Sequence, residues 1–258
     1  MHNLRVLIYT IALDRPEQEF YRHMAKILVS SLLRTYFTGD ILAIHNGAAP
    51  LFLVERKGVQ ELMLPGGEVD GYKLKYQARR WIEAGRYDWV CFLDCDMITL
   101  RNIDHLFDPG SECDILWQPE GRMRQAPYNA YFHPEEHPRL WRNGANSGTW
   151  AVRGAAYQSM MAEWERIDGS EPVAAKHSHD QPAWNRVLFD TRLRARRFEK
   201  EEIRFPLLCD HDYMQWRQAA LLHANGPPNE AKLEFLMAQY LGRFAGQPAG
   251  LMLTLLDP

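Results

Sequence analysis

The first hundred residues alternate short apolar segments with longer amphipathic ones, and this rhythm constrains the fold more than any other feature of the chain. The segments that read as strands are residues 6–10, 40–46, 60–64 and 89–93. Residues 20–36 and 74–85 lie between them and carry apolar side chains at helical spacing. Strands that alternate with helices predict an α/β fold, with a mostly parallel central sheet and helices on both faces.

The rhythm loosens after about residue 105. Further strands are predicted at 114–117 and 149–152, and further helices at 154–167, 181–193 and 230–241. Residues 122–142 are rich in Pro, Tyr, His and Arg and read as a long irregular segment, which in a compact domain is usually functional. No linker separates two domains, so we expect a single domain over residues 1–258.

Charge and composition exclude several classes of protein. The 33 acidic and 30 basic residues give a net charge of −3, so no basic footprint for nucleic acid is present, and a neutral sugar acceptor is compatible. The apolar runs are too short for a transmembrane segment. The four cysteines form no C-x-x-C pair and no signal-peptide pattern is seen, so we expect a reduced, cytoplasmic setting.

Two aspartates directly follow the most apolar strand. Residues 90–93 are all apolar, and Asp94 and Asp96 come next. In extended chain, residues two apart point to the same side, so the two carboxylates repel each other unless a divalent cation lies between them. Carboxylate oxygen suits Mg²⁺ or Mn²⁺, whose open positions phosphate oxygens commonly fill. The ends of such strands are where ligands bind.

Residues 87–107, YDWVCFLDCDMITLRNIDHLF, resemble the signature of GT-A glycosyltransferases. The stretch is most similar to glycosyltransferase family 8, with its glycogenin-like and bacterial galactosyltransferase-like members, and to related nucleotide-diphospho-sugar transferases. The resemblance implies a GT-A fold in which Asp94 and Asp96 bind Mn²⁺ (or Mg²⁺), and the metal binds the diphosphate of a sugar nucleotide. It also implies a nucleotide-binding half at 1–107 and a donor-sugar and acceptor half at 108–258.

Two later motifs resemble donor-sugar motifs of the same family. Asn146 and Gly148, in Asn-Ser-Gly, match the Asn-x-Gly that lines the donor-sugar pocket. Asp180 and Gln181 match the Asp-Gln pair that opens a helix beside the reacting sugar. The resemblance makes these two the catalytic candidates, with Asp180 the better one for contact near the anomeric carbon. Asp180 is also a good N-cap residue, and the two roles are compatible.

A last motif, His223-Ala224-Asn225-Gly226, resembles the family's late His-x-x-Gly. There the histidine is the third protein ligand of the metal, and the glycine lets the chain approach the diphosphate. The resemblance therefore assigns His223 to the metal and Gly226 to the diphosphate.

The chain departs from the family at one position. A lysine usually follows that glycine by three residues and reaches the diphosphate, but here the residue is Asn229. Either Lys232 replaces it from the following helix, or another cation does. The other candidates are Lys73 and Lys75, which precede the strand that ends at Asp94.

Together these motifs predict a metal-dependent transfer of a hexose from a nucleoside diphosphate sugar to an acceptor hydroxyl. The family favours a UDP-sugar donor, and the acceptor would be a carbohydrate, a glycan or a lipid-linked sugar. Tyr9 and Thr10, expected at the end of the first strand, would contact the nucleotide. The aromatic side chains of the irregular segment could stack on the acceptor sugar; they are Trp117, Tyr128, Tyr131, Phe132, His133 and Trp141.

Two other functions remain open. A nucleotidyltransferase that makes sugar nucleotides would need a glycine-rich basic loop after the first strand, and residues 10–16 contain no glycine. A non-catalytic module that binds sugar nucleotides or carbohydrate would not need intact Asp94, Asp96 and His223. The basic run at 192–197 is expected to be a solvated face, with an anionic acceptor or a lipid surface as the alternative.

Overall fold

The computed structural model describes residues 4–14, 19–52, 57–64, 70–108, 110–126, 128–170, 180–210 and 212–244. The strands, β1 to β10 in chain order, are Val6–Ala12, Asp40–His45, Val59–Met63, Trp89–Leu93, Met97–Thr99, Ile115–Glu120, Gly144–Arg153, Ala195–Arg197, Ile203–Arg204 and Leu221–His223. The α-helices, α1 to α6, are Phe20–Arg34, Gly71–Gln77, Gly154–Asp168, Gln181–Asp190, Tyr213–Trp216 and Asn229–Phe244. Short 3-10 turns span Ala78–Arg80, Ala84–Arg86, Asp104–Phe107 and Pro134–Arg139.

The chain divides into two compact units. The first comprises Met1–Val69, Leu93–Asp108 and Glu199–Pro258, and the second comprises Asp70–Phe92 and Pro109–Phe198. Seven of the strands belong to one mostly parallel central sheet, which confirms the α/β class predicted from the sequence. Within the described ranges, no helix has the length and apolar character needed to cross a membrane.

The first unit contains three parallel strands of the central sheet, in the order β3-β2-β1. Every residue of β1 is buried, as expected for a strand covered on both faces. A second, small sheet has the order β5-β10-β9, with β10 antiparallel to β5 and parallel to β9. Helix α1 packs against β1, β5 and α6.

The second unit contains the strands β4, β7, β6 and β8 in that order, with only Leu93 of β4 in the first unit. Strand β6 is antiparallel to β7 and parallel to β8. Helices α3 and α4 pack on each other through aromatic side chains. Trp150, Trp164 and Trp184 are fully buried, with ring centroids 4.7 to 6.0 Å apart, and form the centre of this core.

The predicted helix at 74–85 is wrong in its second half. Helix α2 ends at Gln77 and is followed by two 3-10 turns, and Trp81, expected on the inner face, is 44% exposed. The side-chain amide of Gln158 donates to the carbonyls of Arg79 and Ile82, at 3.1 and 3.0 Å. These carbonyls are acceptors that a continuing helix would use itself, so the contact with α3 replaces helix with turns.

Candidate active site

The three predicted metal ligands converge in the first unit. Asp94 directly follows β4, Asp96 directly precedes β5, and His223 ends β10. Strand β10 pairs with β5 so that His223 lies opposite Met97, and the amide of Ala224 donates to the carbonyl of Asp96 at 2.8 Å. This pairing places one ligand atom from each of the three side chains within 4.8 Å of the others. We call this the Asp-Asp-His group.

The donor atoms of the Asp-Asp-His group fit a divalent cation. His223 Nε2 lies 3.2 Å from Asp96 Oδ1 and 3.9 Å from Asp94 Oδ2. Asp96 Oδ1 is buried, and among the described residues it makes no hydrogen bond apart from this contact with His223. A carboxylate oxygen can accept more than one such contact, and a metal ion would supply a further one. The side chain of Asp94 is 33% exposed, which leaves that side accessible to a phosphate.

Lys232 of helix α6 enters the same group. Its Nζ lies 2.7 Å from Asp96 Oδ2. Burial alone would raise the pKa of Asp96, but His223 and Lys232 outweigh it and hold the pKa of this carboxyl well below its usual range. Burial alone would lower the pKa of Lys232, and the aspartate more than offsets this and raises it. The pair is therefore ionised at neutral pH.

Gly226 has a backbone conformation that other residues rarely adopt. Its φ is +110°, and a Cβ built on it would lie 3.2 Å from Leu208 Cδ1. The backbone at this position is exposed, three residues after His223. The conformation explains why glycine is needed here, and a bare backbone allows close approach of a ligand.

In the second unit, Lys75 and Asp180 form a buried ion pair. Lys75 Nζ lies 3.2 Å from Asp180 Oδ2, and the two side chains are 8% and 3% exposed. The hydroxyl of Ser147 donates to Asp180 Oδ1 at 3.1 Å. Asp180 occupies the N-cap position of helix α4, as the sequence predicted, but its side chain makes no capping hydrogen bond. The carboxylate is instead oriented by the lysine and the serine.

Glu120, at the end of β6, accepts hydrogen bonds from two further residues that the sequence predicted for the site. Its Oε2 accepts hydrogen bonds from Asn146 Nδ2 at 2.7 Å and from Gln181 Nε2 at 3.1 Å. Asn146 Oδ1 in turn accepts from the amide of Gly148 at 2.7 Å. We call these residues, with the buried ion pair and its serine, the polar cluster: Lys75, Glu120, Asn146, Ser147, Gly148, Asp180 and Gln181.

A break in the pairing of β6 with β7 builds the polar cluster. Trp117 pairs with Trp150 and Gln118 with Asn146, so residues 147–149 have no partner on β6. A bulge of this kind turns side chains out of the regular alternation and is common beside active sites. The side-chain amide of Asn185 on α4 fixes the start of β7. Its oxygen accepts from the backbone amide of Ala145 at 2.8 Å, and its nitrogen donates to the carbonyl of Ala145 at 3.1 Å.

Sequence reasoning missed Glu120, Ser147 and Asn185. The signal for Glu120 was present, because it ends the apolar strand segment ILWQPE much as Asp94 follows its own strand. Ser147 lies between two predicted residues of the Asn-Ser-Gly motif. Nothing in the sequence singled out Asn185, whose contact with β7 exists only in the folded chain.

Tyr9 and Thr10 were expected at the end of the first strand, but β1 continues to Ala12. Both residues are buried, at 0% and 1% exposure, and Thr10 Oγ1 makes no hydrogen bond with the described residues. The polar residue beyond the strand end is Asp14, whose carboxylate accepts from the amides of Tyr21 and Arg22.

The aromatic side chains expected to stack on an acceptor pack largely on the protein itself. Trp117 stacks on Trp141 at a centroid distance of 5.4 Å, and Phe132 meets Phe189 edge to face at 5.2 Å. Trp117 and Phe132 are buried, so they offer no face to a ligand.

Comparisons with known proteins agree with this architecture. No protein-family model matches the sequence, and no curated protein matches it. Among solved structures, the apo structure of the bifunctional glycosyltransferase WbbM is similar, with a TM-score of 0.67 and 14% sequence identity. The chain has a GT-A-like glycosyltransferase fold. The similarity covers 96% of this chain and 50% of WbbM, so the chain spans half of that protein's length. The resemblance to glycosyltransferases is thus confirmed at the level of the fold, and family 8 is not specifically confirmed.

Proposed function

We propose that this chain is a metal-dependent glycosyltransferase that moves a hexose from a nucleoside diphosphate sugar, a UDP-sugar in particular, to an acceptor hydroxyl. The observation that carries the proposal is the Asp-Asp-His group, located after the strands of a GT-A-like fold. Two carboxylates and one imidazole suit Mn²⁺ or Mg²⁺, and the exposed side of Asp94 is open to a diphosphate.

Asp94, Asp96 and His223 would hold the metal. When bound, the cation supplies a Lewis acid that stabilises the charge of the leaving diphosphate. Lys232 adds a positive charge beside Asp96 and would contact diphosphate oxygens in the place of the lysine missing at position 229. Gly226 would let the backbone approach the same oxygens.

The polar cluster would bind the donor sugar. Asn146 and Gln181 already donate hydrogen bonds to Glu120, so a sugar hydroxyl would meet donors and acceptors with fixed orientation. Asp180 forms a buried ion pair with Lys75. In this role it would stabilise the positive charge that develops at the anomeric carbon during transfer.

A panel of nucleoside diphosphate sugars, incubated with the protein and Mn²⁺, tests the proposal. We expect release of the nucleoside diphosphate from at least one donor, as slow hydrolysis or as transfer to added sugars. Formation of a nucleoside triphosphate when pyrophosphate is added would instead identify a nucleotidyltransferase. Binding of a donor with no turnover under any condition would identify a non-catalytic module. Either of these two results would overturn the proposal.

A further inference from the structure

A cleft with three arginines opens beside the polar cluster, within the second unit. It is lined by Gly121, Arg122, Arg124, Gln125, Arg142 and Asn143, and its volume is about 800 Å³. We call it the basic cleft. Pockets that take small ligands fall in this range of size. None of the six lining residues has a role in the proposed donor chemistry.

Backbone contacts bring two of the arginines together. The amide of Met123 donates to the carbonyl of Arg142 at 3.2 Å, and Asn143 Nδ2 donates to the carbonyl of Gly121 at 3.2 Å. Gly121 has a φ of +60°, and a Cβ at this position would collide with the ring of Tyr128. Arg122 and Arg142 are therefore neighbours on two paired chain segments, and the turn that places Arg122 there requires glycine.

The segment that carries the cleft is irregular but anchored. Met123, Phe132 and Leu140 form a small buried core of their own, against which Tyr128 and Phe189 pack. Outside this core, Arg186 of helix α4 binds both oxygens of Glu136 at 2.8 Å. The backbone of such a segment is held in place before a ligand arrives, which reduces the entropy that binding must lose.

The charge of the cleft is not balanced by its surroundings. Arg122, Arg124 and Arg142 are exposed, and no carboxylate of the described residues lies within ion-pair distance of Arg122 or Arg142. Arg124 donates to the carbonyl of Pro138 at 3.1 Å. Like charges on adjacent chain segments repel each other, although the chain as a whole has a net charge of −3. An oxyanion between the guanidinium groups would remove this repulsion, and the guanidinium fork matches phosphate and carboxylate.

The cleft also flanks the residue pair at which β6 ends and β7 begins, Glu120 and Gly144. Gly121 directly follows Glu120, and Asn143 directly precedes β7, which carries Asn146. Two members of the polar cluster are thus connected to the cleft by continuous chain. We propose that the basic cleft binds the acceptor, and that this acceptor is a sugar with a phosphate or carboxylate group. This inference rests on the proposed function and replaces the neutral acceptor that the net charge suggested.

Binding to the whole chain tests the inference without any donor. The probes are glucose 6-phosphate, glucuronate, glucose and inorganic phosphate, each titrated by calorimetry or ligand-observed NMR at low salt. The variant is the double substitution Arg122→Gln with Arg142→Gln. The matched control carries Arg192→Gln, which removes an exposed arginine of the same unit outside the cleft. Circular dichroism confirms that each variant is folded.

We expect at least one anionic sugar to bind tenfold or more tightly than glucose and more tightly than inorganic phosphate. The double variant should lose this preference, whereas the Arg192→Gln control should keep it. Equal binding of glucose and the anionic sugars, equal loss in the control, or binding of inorganic phosphate as tight as that of the sugar phosphate would each overturn the inference. Mn²⁺-dependent donor hydrolysis, measured on the same samples, should be unchanged in the double variant. Absence of this hydrolysis in the wild type would instead contradict the proposed function. A failure of the inference and a failure of the proposed function are therefore distinguishable.

Discussion

Lys232 Nζ and Asp96 Oδ2 lie 2.7 Å apart, although 136 residues separate them in the chain. The lysine comes from helix α6 and reaches the aspartate that also lies beside His223. We propose that Lys232 is the cation expected near the diphosphate, three residues after the usual position, which Asn229 occupies here. A positive charge beside a carboxylate that holds a metal would weaken the binding of the cation and strengthen the binding of an anionic donor.

Replacing Lys232 by methionine separates these two effects. Lys232→Met should tighten the binding of Mn²⁺ alone by about tenfold, because a positive charge beside Asp96, one of the residues proposed to hold the metal, is removed. The same variant should bind UDP more weakly in the presence of Mn²⁺, since one contact with the diphosphate is lost. Electron paramagnetic resonance titration of Mn²⁺ and calorimetric titration of UDP measure the two affinities.

Lys200→Met is the matched control, because it removes an exposed lysine of the same unit. It should change neither affinity. Weaker binding of both Mn²⁺ and UDP to the Lys232→Met variant would show that the lysine only supports the structure of the site.

Substitutions in the buried pair of Lys75 and Asp180 should change both the stability of the protein and its activity. Lys75→Met leaves the Asp180 carboxylate buried without its charge partner, which should lower the free energy of unfolding by about 3 kcal/mol. Adding Asp180→Asn removes that uncompensated charge, so the double variant should be more stable than the single one. Urea unfolding measures both. Losses in the free energy of unfolding that simply add in the double variant would contradict the ion pair. Donor hydrolysis should be impaired in both variants.

His45 should make the stability of the first unit depend on pH. Its Nε2 lies 3.1 Å from Glu61 Oε2, while its Nδ1 accepts a hydrogen bond from the amide of Gly47. This second bond requires an unprotonated Nδ1, hence a neutral ring. Burial lowers the pKa of His45, although Glu61 opposes the shift.

A histidine whose pKa is lower in the folded protein takes up its proton more readily when unfolded. Its contribution to stability is complete above about pH 6.5 and is lost as the pH falls through the lowered value, with a slope of at most about 1.4 kcal/mol per pH unit. Urea unfolding between pH 7.5 and 5 should show this loss, and His45→Gln should flatten it. An identical slope in the variant would assign the dependence to other groups.

The sequence predicted those parts of the fold and the site that depend on local patterns. Strand β4 and helix α3 follow from continuous apolar runs and helical spacing, and the structure agrees with them to within a residue. Asp94 and Asp96 were predicted as a pair because they follow an apolar strand, and His223 was assigned with them through the resemblance to glycosyltransferase motifs. Strands β5, β9 and β10, of two or three residues, carry too few side chains for any periodicity to show.

Contacts between distant residues could not be predicted. The pairs Lys232 with Asp96 and Lys75 with Asp180 depend on how helices pack, which no local spacing encodes. Glu120 stands at the end of a strand segment that the sequence shows, but its contacts could not be predicted, since its partners Asn146 and Gln181 are 26 and 61 residues away. The sequence therefore predicted several residues of each site, but not which charged side chains would lie next to one another.

Metal-dependent donor hydrolysis is the most direct test of the central claim that the Asp-Asp-His group holds the catalytic cation. The samples are wild type, Asp96→Asn, and Glu230→Gln, which removes an exposed carboxylate on α6 as the control. We predict that wild type and control hydrolyse a UDP-sugar only when Mn²⁺ or Mg²⁺ is present, and that Asp96→Asn loses 100-fold or more of this rate. Hydrolysis that survives chelation, or that is unchanged in Asp96→Asn, would contradict the account.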